Sequence, residues 1–386
     1  MKSIRERLSE KAARNKLPIM AAMELLPVCN LHCKMCYVRK SMSEVRSAGG
    51  LKDAQWWLSV AKQAADMGLL YPLLTGGEPF LHPQFREIFT GMQDMGMQVS
   101  INSNATLIDR ELAQWLGKHR PIRINITLYG ASEESYQNLC GSADAYGKVR
   151  QAVALLKEYD VPVKFNASIT PDNFADLEKM VSFAKENGSP IQVATYMFPP
   201  IRRDSSMVGK NERLSPEDAA LARVMADFHQ NEPLWFMGQT ERYSRFLPLD
   251  QVLKLEQNGA QMGMTCRAGL CSAWIDWKGN LSNCGMYGSV ELDMAGRSFQ
   301  DAWKELVEKT AEIRYESHCA VCPNQHLCHP CIVMIYNECG DLNGRPDYVC
   351  RMNQEMSRLY REFARKYYPD HPLPDSIPEQ ADICEL

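Results

Sequence analysis

Ile19-Met20-Ala21-Ala22-Met23-Glu24-Leu25-Leu26-Pro27-Val28-Cys29-Asn30-Leu31-His32-Cys33-Lys34-Met35-Cys36 is the stretch that decides how the chain folds. Residues 19–26 read as a buried strand, and Pro27 marks its end because proline cannot donate to a strand ladder. A strand that opens into a tight cysteine loop brings three thiols to one point at the mouth of a fold. Their spacing is three residues and then two. A structural zinc site closes with four ligands, and an electron-transfer 4Fe–4S cluster takes four cysteines. Three thiols with no fourth nearby leave one iron free to bind something else; a zinc knuckle and a reactive thiol pair are the alternatives.

Outward from this loop, strand-like runs alternate with helical ones as far as about residue 200. Strands are expected at 20–26, 70–74, 98–102, 122–128, 163–169 and 191–196, with helices at 53–67, 84–95, 109–116, 145–158 and 173–186 between them. Gly68, Gly96, Gly117 and Gly188 fall where these helices should stop. The alternation predicts parallel βα units. Six units fit a partial (βα)6 TIM-like barrel, and an open flavodoxin-like sheet fits the same periodicity. Both architectures gather ligands at the carboxyl ends of their strands. The double glycine of Gly76-Gly77-Glu78-Pro79 lies at such an end, where the missing Cβ lets the backbone approach a ligand. Pro199-Pro200 closes the alternation, and Ser215-Pro216 starts a helix to about residue 230 that bridges to a second region.

The 386 residues suffice for a catalytic domain and a smaller one. A net charge of −4 supplies no basic footprint for nucleic acid. The basic first sixteen residues read as a solvated amphipathic helix without the apolar core of a signal peptide. No run approaches the roughly 20 apolar residues that span a bilayer. A cytoplasmic protein with no membrane partner is therefore expected. Fourteen cysteines in such a chain point to metal rather than to disulfides. Outside their clusters stand only Cys140, Cys339 and Cys384, with Cys140 read as an ordinary buried thiol or a loop residue.

Cx3Cx2C after a first strand, followed by GGEP after the next, resembles the radical S-adenosylmethionine (SAM) superfamily. The resemblance implies a 4Fe–4S cluster on Cys29, Cys33 and Cys36 whose open iron chelates SAM. Cleavage of the sulfonium would release a 5′-deoxyadenosyl radical that abstracts hydrogen. Gly76, Gly77, Glu78 and Pro79 would meet the methionyl ammonium, and Met35 or Tyr37 would pack near the adenine. Ser103 and Asn104 would contact SAM, and Thr127 and Ser168 would bond its ribose hydroxyls.

After Gly263 the chain reads Cys266-x4-Cys271, Gly279-x4-Cys284, Cys319-x2-Cys322-x5-Cys328-x2-Cys331 and Cys350. Two zinc ribbons would satisfy this arithmetic, but the full order resembles the SPASM extension of radical SAM enzymes. It departs from that pattern in having two residues, not three, between Cys328 and Cys331. The resemblance implies two auxiliary 4Fe–4S clusters, one near the barrel on Cys266, Cys271, Cys284 and Cys331, the other on Cys319, Cys322, Cys328 and Cys350. His318, His326 and His329 lie among these thiols as surface groups, donors to cluster sulfurs or substitute ligands. Residues 275–282 read as a short hairpin that brings Cys284 beside Cys266.

The expected organisation is an N-terminal helix at 1–18, a barrel at 19–205, a helical bridge at 206–262, a SPASM domain at 263–351, and a C-terminal helix and tail at 352–386. The expected activity is oxidation of a C–H position, foremost in a ribosomally made peptide, giving a thioether, carbon–carbon or carbon–oxygen crosslink or an epimerised centre. Dehydrogenation of a small alcohol or sugar by the same chemistry is the alternative, and a non-catalytic iron–sulfur or zinc scaffold is a reading of another class. Gly285 stands where sulfatase-maturating relatives carry an aspartate, which argues against their activity. A low-potential donor such as ferredoxin or flavodoxin would supply electrons. Only a short segment precedes Cys29, so leader recognition would fall to the barrel mouth or to a separate protein. Arg202, Arg203, Asp204, Tyr243 and Arg245 read as solvated.

Overall fold

The computed structural model describes residues 3–255 and 259–370; Cys384 lies outside them. Six parallel strands, β1 (Met20–Leu26), β2 (Tyr71–Gly76), β3 (Ser100–Ser103), β4 (Arg123–Leu128), β5 (Val163–Ser168) and β6 (Ile191–Ala194), pair in sequence order. A flavodoxin-like sheet would interrupt that order at a switch point. The sequential order instead suits a partial barrel. Met23 and Leu25 on β1, Ile101 on β3 and Phe165 on β5 are fully buried, as strands covered on both faces require.

The helices begin where the sequence offers a cap. Asp53, Asp109 and Ser215 each accept a backbone N–H from the first turn of the helix that follows. Gly68, Gly96 and Gly188 stop helices with positive φ. Gly117 does not. It lies inside the helix Arg110–Lys118, where an added Cβ would stand 3.0 Å from both Cβ and O of Tyr159. Close packing, not termination, accounts for that glycine. Within the barrel region two helices fall outside the expected pattern, Met42–Ser47 and Glu133–Cys140.

The sheet does not stop at β1. Beyond β7 (Gln261–Met262), the strands β8 (Ser272–Ile275), β9 (Asn280–Ser282) and β10 (Glu291–Asp293) extend it to nine, in the order β10-β9-β8-β1-β2-β3-β4-β5-β6. β8 runs parallel to β1 with Ala22 opposite Trp274. The expected hairpin is therefore present and is hydrogen-bonded to the barrel itself. β11 (Tyr315–Glu316) pairs with β7 to frame the cysteine-rich region. The helices Pro216–Gln230, Pro233–Ser244 and Asp347–Tyr367 pack together, with Tyr243 stacked on Tyr360 at 4.9 Å. No helix among the described residues is long and apolar enough to cross a membrane.

Candidate active site

The cysteine loop and the double-glycine loop meet backbone to backbone at the carboxyl ends of β1 and β2. Gly77 N donates to Leu26 O (2.8 Å) and Glu78 N to Val28 O (2.9 Å). A Cβ on Gly76 would lie 2.2 Å from Leu26 O, and one on Gly77 2.2 Å from Val28 O. Gly76 also holds φ +146°. Both glycines are thus needed for the chain to approach its own cysteine loop.

Glu78 is fully buried. Its carboxylate accepts from Ser103 Oγ (2.9 and 3.0 Å), Asn104 N (2.8 Å) and Phe80 N (3.2 Å). Burial raises it to about 7 against the pull of these donors. It ties the β2 loop to the end of β3 and so fixes Asn104. The Asn104 Nδ2 group donates to Asn30 Oδ1 (2.9 Å) and reaches Cys29 Sγ at 3.5 Å. Leu31 N also donates to Cys29 Sγ (3.4 Å), and Arg39 N to Cys36 Sγ (3.3 Å). The sequence expectation put Ser103 against a ligand; here its hydroxyl serves Glu78.

The three loop thiols are close enough for the charge on each to oppose ionisation of another. Burial pushes Cys29 up to about 12, with Glu78, Cys33 and Cys36 adding to the rise. Cys36 is raised chiefly by burial, and Cys33 by a hydrogen bond with the Cys140 thiol together with burial. Bare thiolates are disfavoured here, and a cationic group would reverse that. Cys140 is the residue that sequence reasoning missed. It ends the helix Glu133–Cys140, whose last carbonyls accept from His32 N and Lys34 N (3.1 and 2.9 Å). No local signal links it to Cys33. Met35 packs with Leu139 and Met197 in a small apolar cluster. Thr127 and Ser168 are half-buried near the ends of β4 and β5.

Between this loop and the cysteine-rich region lies a buried ion pair. Glu24, fully buried on β1, accepts from both terminal nitrogens of Arg202 (2.9 and 3.0 Å) and from Trp274 Nε1 (3.1 Å). Arg202 is thus not a solvated loop residue, and Tyr243 is buried too. Gly285 lies flat against the indole, where a Cβ would meet a ring carbon at 2.5 Å. Burial pushes Tyr37 up to about 12, with Arg202, Glu24, Cys36 and Cys284 around it. Tyr37 therefore stands between the first cysteine loop and the second cysteine region.

The other cysteines fall into two sets. Cys284 and Cys331 each sense Cys266, and Cys331 senses Cys284. Cys271 stands apart, fully buried with Ala12 and Ile19 and influenced by Arg267. Its backbone nevertheless lies at the same end of the β8–β9 hairpin as Cys284, since Trp274 pairs with Ser282. In the outer set Cys319, Cys322, Cys328 and Cys350 line one cavity, and Cys328 senses the other three. Among the described residues no three His, Cys, Asp or Glu side chains close on a single-ion site.

The model of the Radical SAM superfamily matches residues 23–184. The chain is 24% identical over 342 residues to the AdoMet-dependent heme synthase of Methanosarcina barkeri, covering 85% of this chain and 95% of that protein. It is 26% identical over 360 residues to the mycofactocin maturase MftC of Mycobacterium tuberculosis, covering 89% and 86%. The fold matches Streptococcus suis SuiB bound to its precursor peptide SuiA, with TM-score 0.65, 17% identity and coverage of 90% and 80%. The superfamily match takes in both the cysteine loop and the double glycine, and the similarity to the heme synthase and to MftC runs along most of the chain.

Proposed function

We propose that the chain is an oxidising radical SAM enzyme that modifies a C–H position of a peptide. The observation that carries this reading is the contact between the two loops. A three-thiol loop is hydrogen-bonded to a double-glycine turn at the carboxyl ends of adjacent parallel strands. The residues fit a cluster. Backbone and side-chain N–H groups already point at Cys29 and Cys36, as donors to cluster sulfurs do. When bound, the cluster and SAM supply the one-electron chemistry that removes a hydrogen atom from an unactivated carbon.

The chain's own residues hold and shield. Cys29, Cys33 and Cys36 take the cluster, and the Glu78–Ser103–Asn104 network keeps the loop in register. The Gly76-Gly77-Glu78-Pro79 turn, Asn104, Thr127 and Ser168 are offered to SAM, with Met35 and Tyr37 beside it. The substrate would lie near Tyr37 and the Arg202–Glu24–Trp274 wall, between the cysteine loop and the inner auxiliary set. That set comprises Cys266, Cys284 and Cys331, with Cys271 as the fourth thiol; Cys319, Cys322, Cys328 and Cys350 hold the outer cluster. A cluster held by the inner set would supply an acceptor for the second electron of a two-electron oxidation.

Support for a peptide comes from the likeness to MftC and to peptide-bound SuiB; a thioether, carbon–carbon or carbon–oxygen crosslink or an epimerised centre is the product class. The likeness to a heme synthase over 95% of its length supports a second reading, oxidation of a small molecule. A low-potential ferredoxin or flavodoxin and a separate leader-recognition protein complete the proposal, in the cytoplasm. Anaerobic incubation of the full chain with SAM and dithionite tests it. Slow formation of 5′-deoxyadenosine, lost in Cys36→Ala, is expected; intact SAM would refute the reading.

A further inference from the structure

Besides its cysteines, the cavity of the outer set is lined by three polar side chains, the buried His318 and Asn324 and the half-buried Gln325, and the proposed activity uses none of them. Ser317 caps the short helix His318–Val321 through Cys319 N (3.2 Å), and this turn presents His318 to the cavity with Cys319 and Cys322. His318 is 7% exposed, and its Nε2 has no hydrogen-bond partner among the described residues. The rest of the lining offers little. Asn324 spends its amide on Leu247, accepting from Leu247 N (2.8 Å) and donating to Leu247 O (2.9 Å). Phe246, Val252 and Val349 supply apolar wall. His326 and His329 are exposed, and His329 Nε2 already meets Arg242 (2.9 Å). A buried N–H left unpaired is costly, so in its Nε2–H tautomer His318 calls for an acceptor inside the cavity it lines. Sulfur is what the cavity offers.

We infer that His318 is a positioning residue of the outer auxiliary cluster, donating its Nε2 hydrogen to a cluster or cysteinyl sulfur and holding that cluster at a raised reduction potential. The inference rests on the assignment of Cys319, Cys322, Cys328 and Cys350 to a 4Fe–4S cluster. Its sign follows from charge. The reduced cluster carries one more negative charge, so a donor to its sulfur stabilises the reduced form more than the oxidised one. The outer cluster is thereby biased towards accepting an electron.

The test is an EPR-monitored redox titration of the anaerobically reconstituted full chain, comparing wild type, His318→Leu and His318→Gln. All three should hold equal iron. One auxiliary midpoint should fall in His318→Leu and return towards wild type in His318→Gln, whose amide restores an N–H. An unshifted midpoint at full iron content overturns the inference, and so does loss of one cluster's iron from both variants. Should only His318→Leu lose its cluster, pulsed EPR of wild type grown on 15N-histidine decides. A histidine nitrogen coupling to the reduced outer cluster, absent in His318→Gln, supports the inference, and no coupling overturns it. Failure of the cluster assignment itself shows separately, as wild type with fewer than about twelve irons, four per cluster.

Discussion

Glu78 and Gly77 do for the cysteine loop what no ligand needs to do. Gly77→Ala would force a methyl to 2.2 Å from Val28 O, a backbone atom that cannot swing aside. A loss of about 3 kcal/mol or more is expected, read as a lower thermal midpoint; an unchanged midpoint would contradict the contact. Glu78 makes a pH prediction. Its folded value of about 7 lies above the ordinary 4.5, so the native state keeps a proton that the unfolded chain releases between those values. The stabilising contribution is complete below pH 4.5 and is lost as pH rises to 7, by up to about 3 kcal/mol. Glu78→Gln removes this dependence. Urea midpoints at pH 5 and pH 8 should therefore show wild type losing ground to the variant as pH rises, and a constant difference would contradict the burial argument. At this scale the sequence was half legible. The spacing of Cys29, Cys33, Cys36 and the double glycine is local and reads directly. That Ser103 serves Glu78, and that Cys140 touches Cys33, depends on strands and helices meeting far along the chain.

The attachment of β8 to β1 makes the barrel and the cysteine-rich region one sheet, and the Glu24–Arg202–Trp274 cluster seals the join. Removing one partner of a buried pair leaves an uncompensated charge, at a cost of about 3–5 kcal/mol, whereas removing both is far less harmful. Arg202→Met should therefore destabilise strongly, and Glu24→Leu/Arg202→Met should recover most of the loss in urea unfolding. Additive losses would show the pair to be energetically idle. Nothing in the sequence announced this pair, since Arg202 and Glu24 are 178 residues apart. An arginine in a loop reads as solvated until its partner is in place. Gly117 misled for a similar reason, because a glycine near a helix end signals termination unless a neighbour such as Tyr159 occupies its Cβ space. Cys271 poses the sharpest question at this scale. As the proposed fourth ligand of the inner cluster it should take about four irons with it in Cys271→Ala; full iron retention would leave the inner set with three protein thiols.

For the whole molecule, the clustered cysteines sort in space into three groups, with Cys331 of the inner set following Cys319, Cys322 and Cys328 of the outer set along the chain. Tyr37 lies near Cys36 of the first loop, Glu24, Arg202 and Cys284 of the inner set, and the outer four cysteines line a cavity of their own. Tyr315, whose buried hydroxyl has no hydrogen-bond partner among the described residues, senses Cys319 of the outer set and Cys331 and Cys266 of the inner. The barrel class was legible because alternating strands and glycine stops repeat with a regular period. The nine-stranded sheet was not, because a three- or four-residue strand carries too little pattern to name its neighbour. The central claim is that these three cysteine groups hold three iron–sulfur clusters, one of them open to SAM. Iron and acid-labile sulfide, counted on anaerobically purified protein and followed by EPR of the reduced sample with and without SAM, test it most directly. The account predicts about twelve irons, four per cluster, and one cluster signal that changes when SAM is added. Zinc in place of iron, or a spectrum indifferent to SAM, would contradict it.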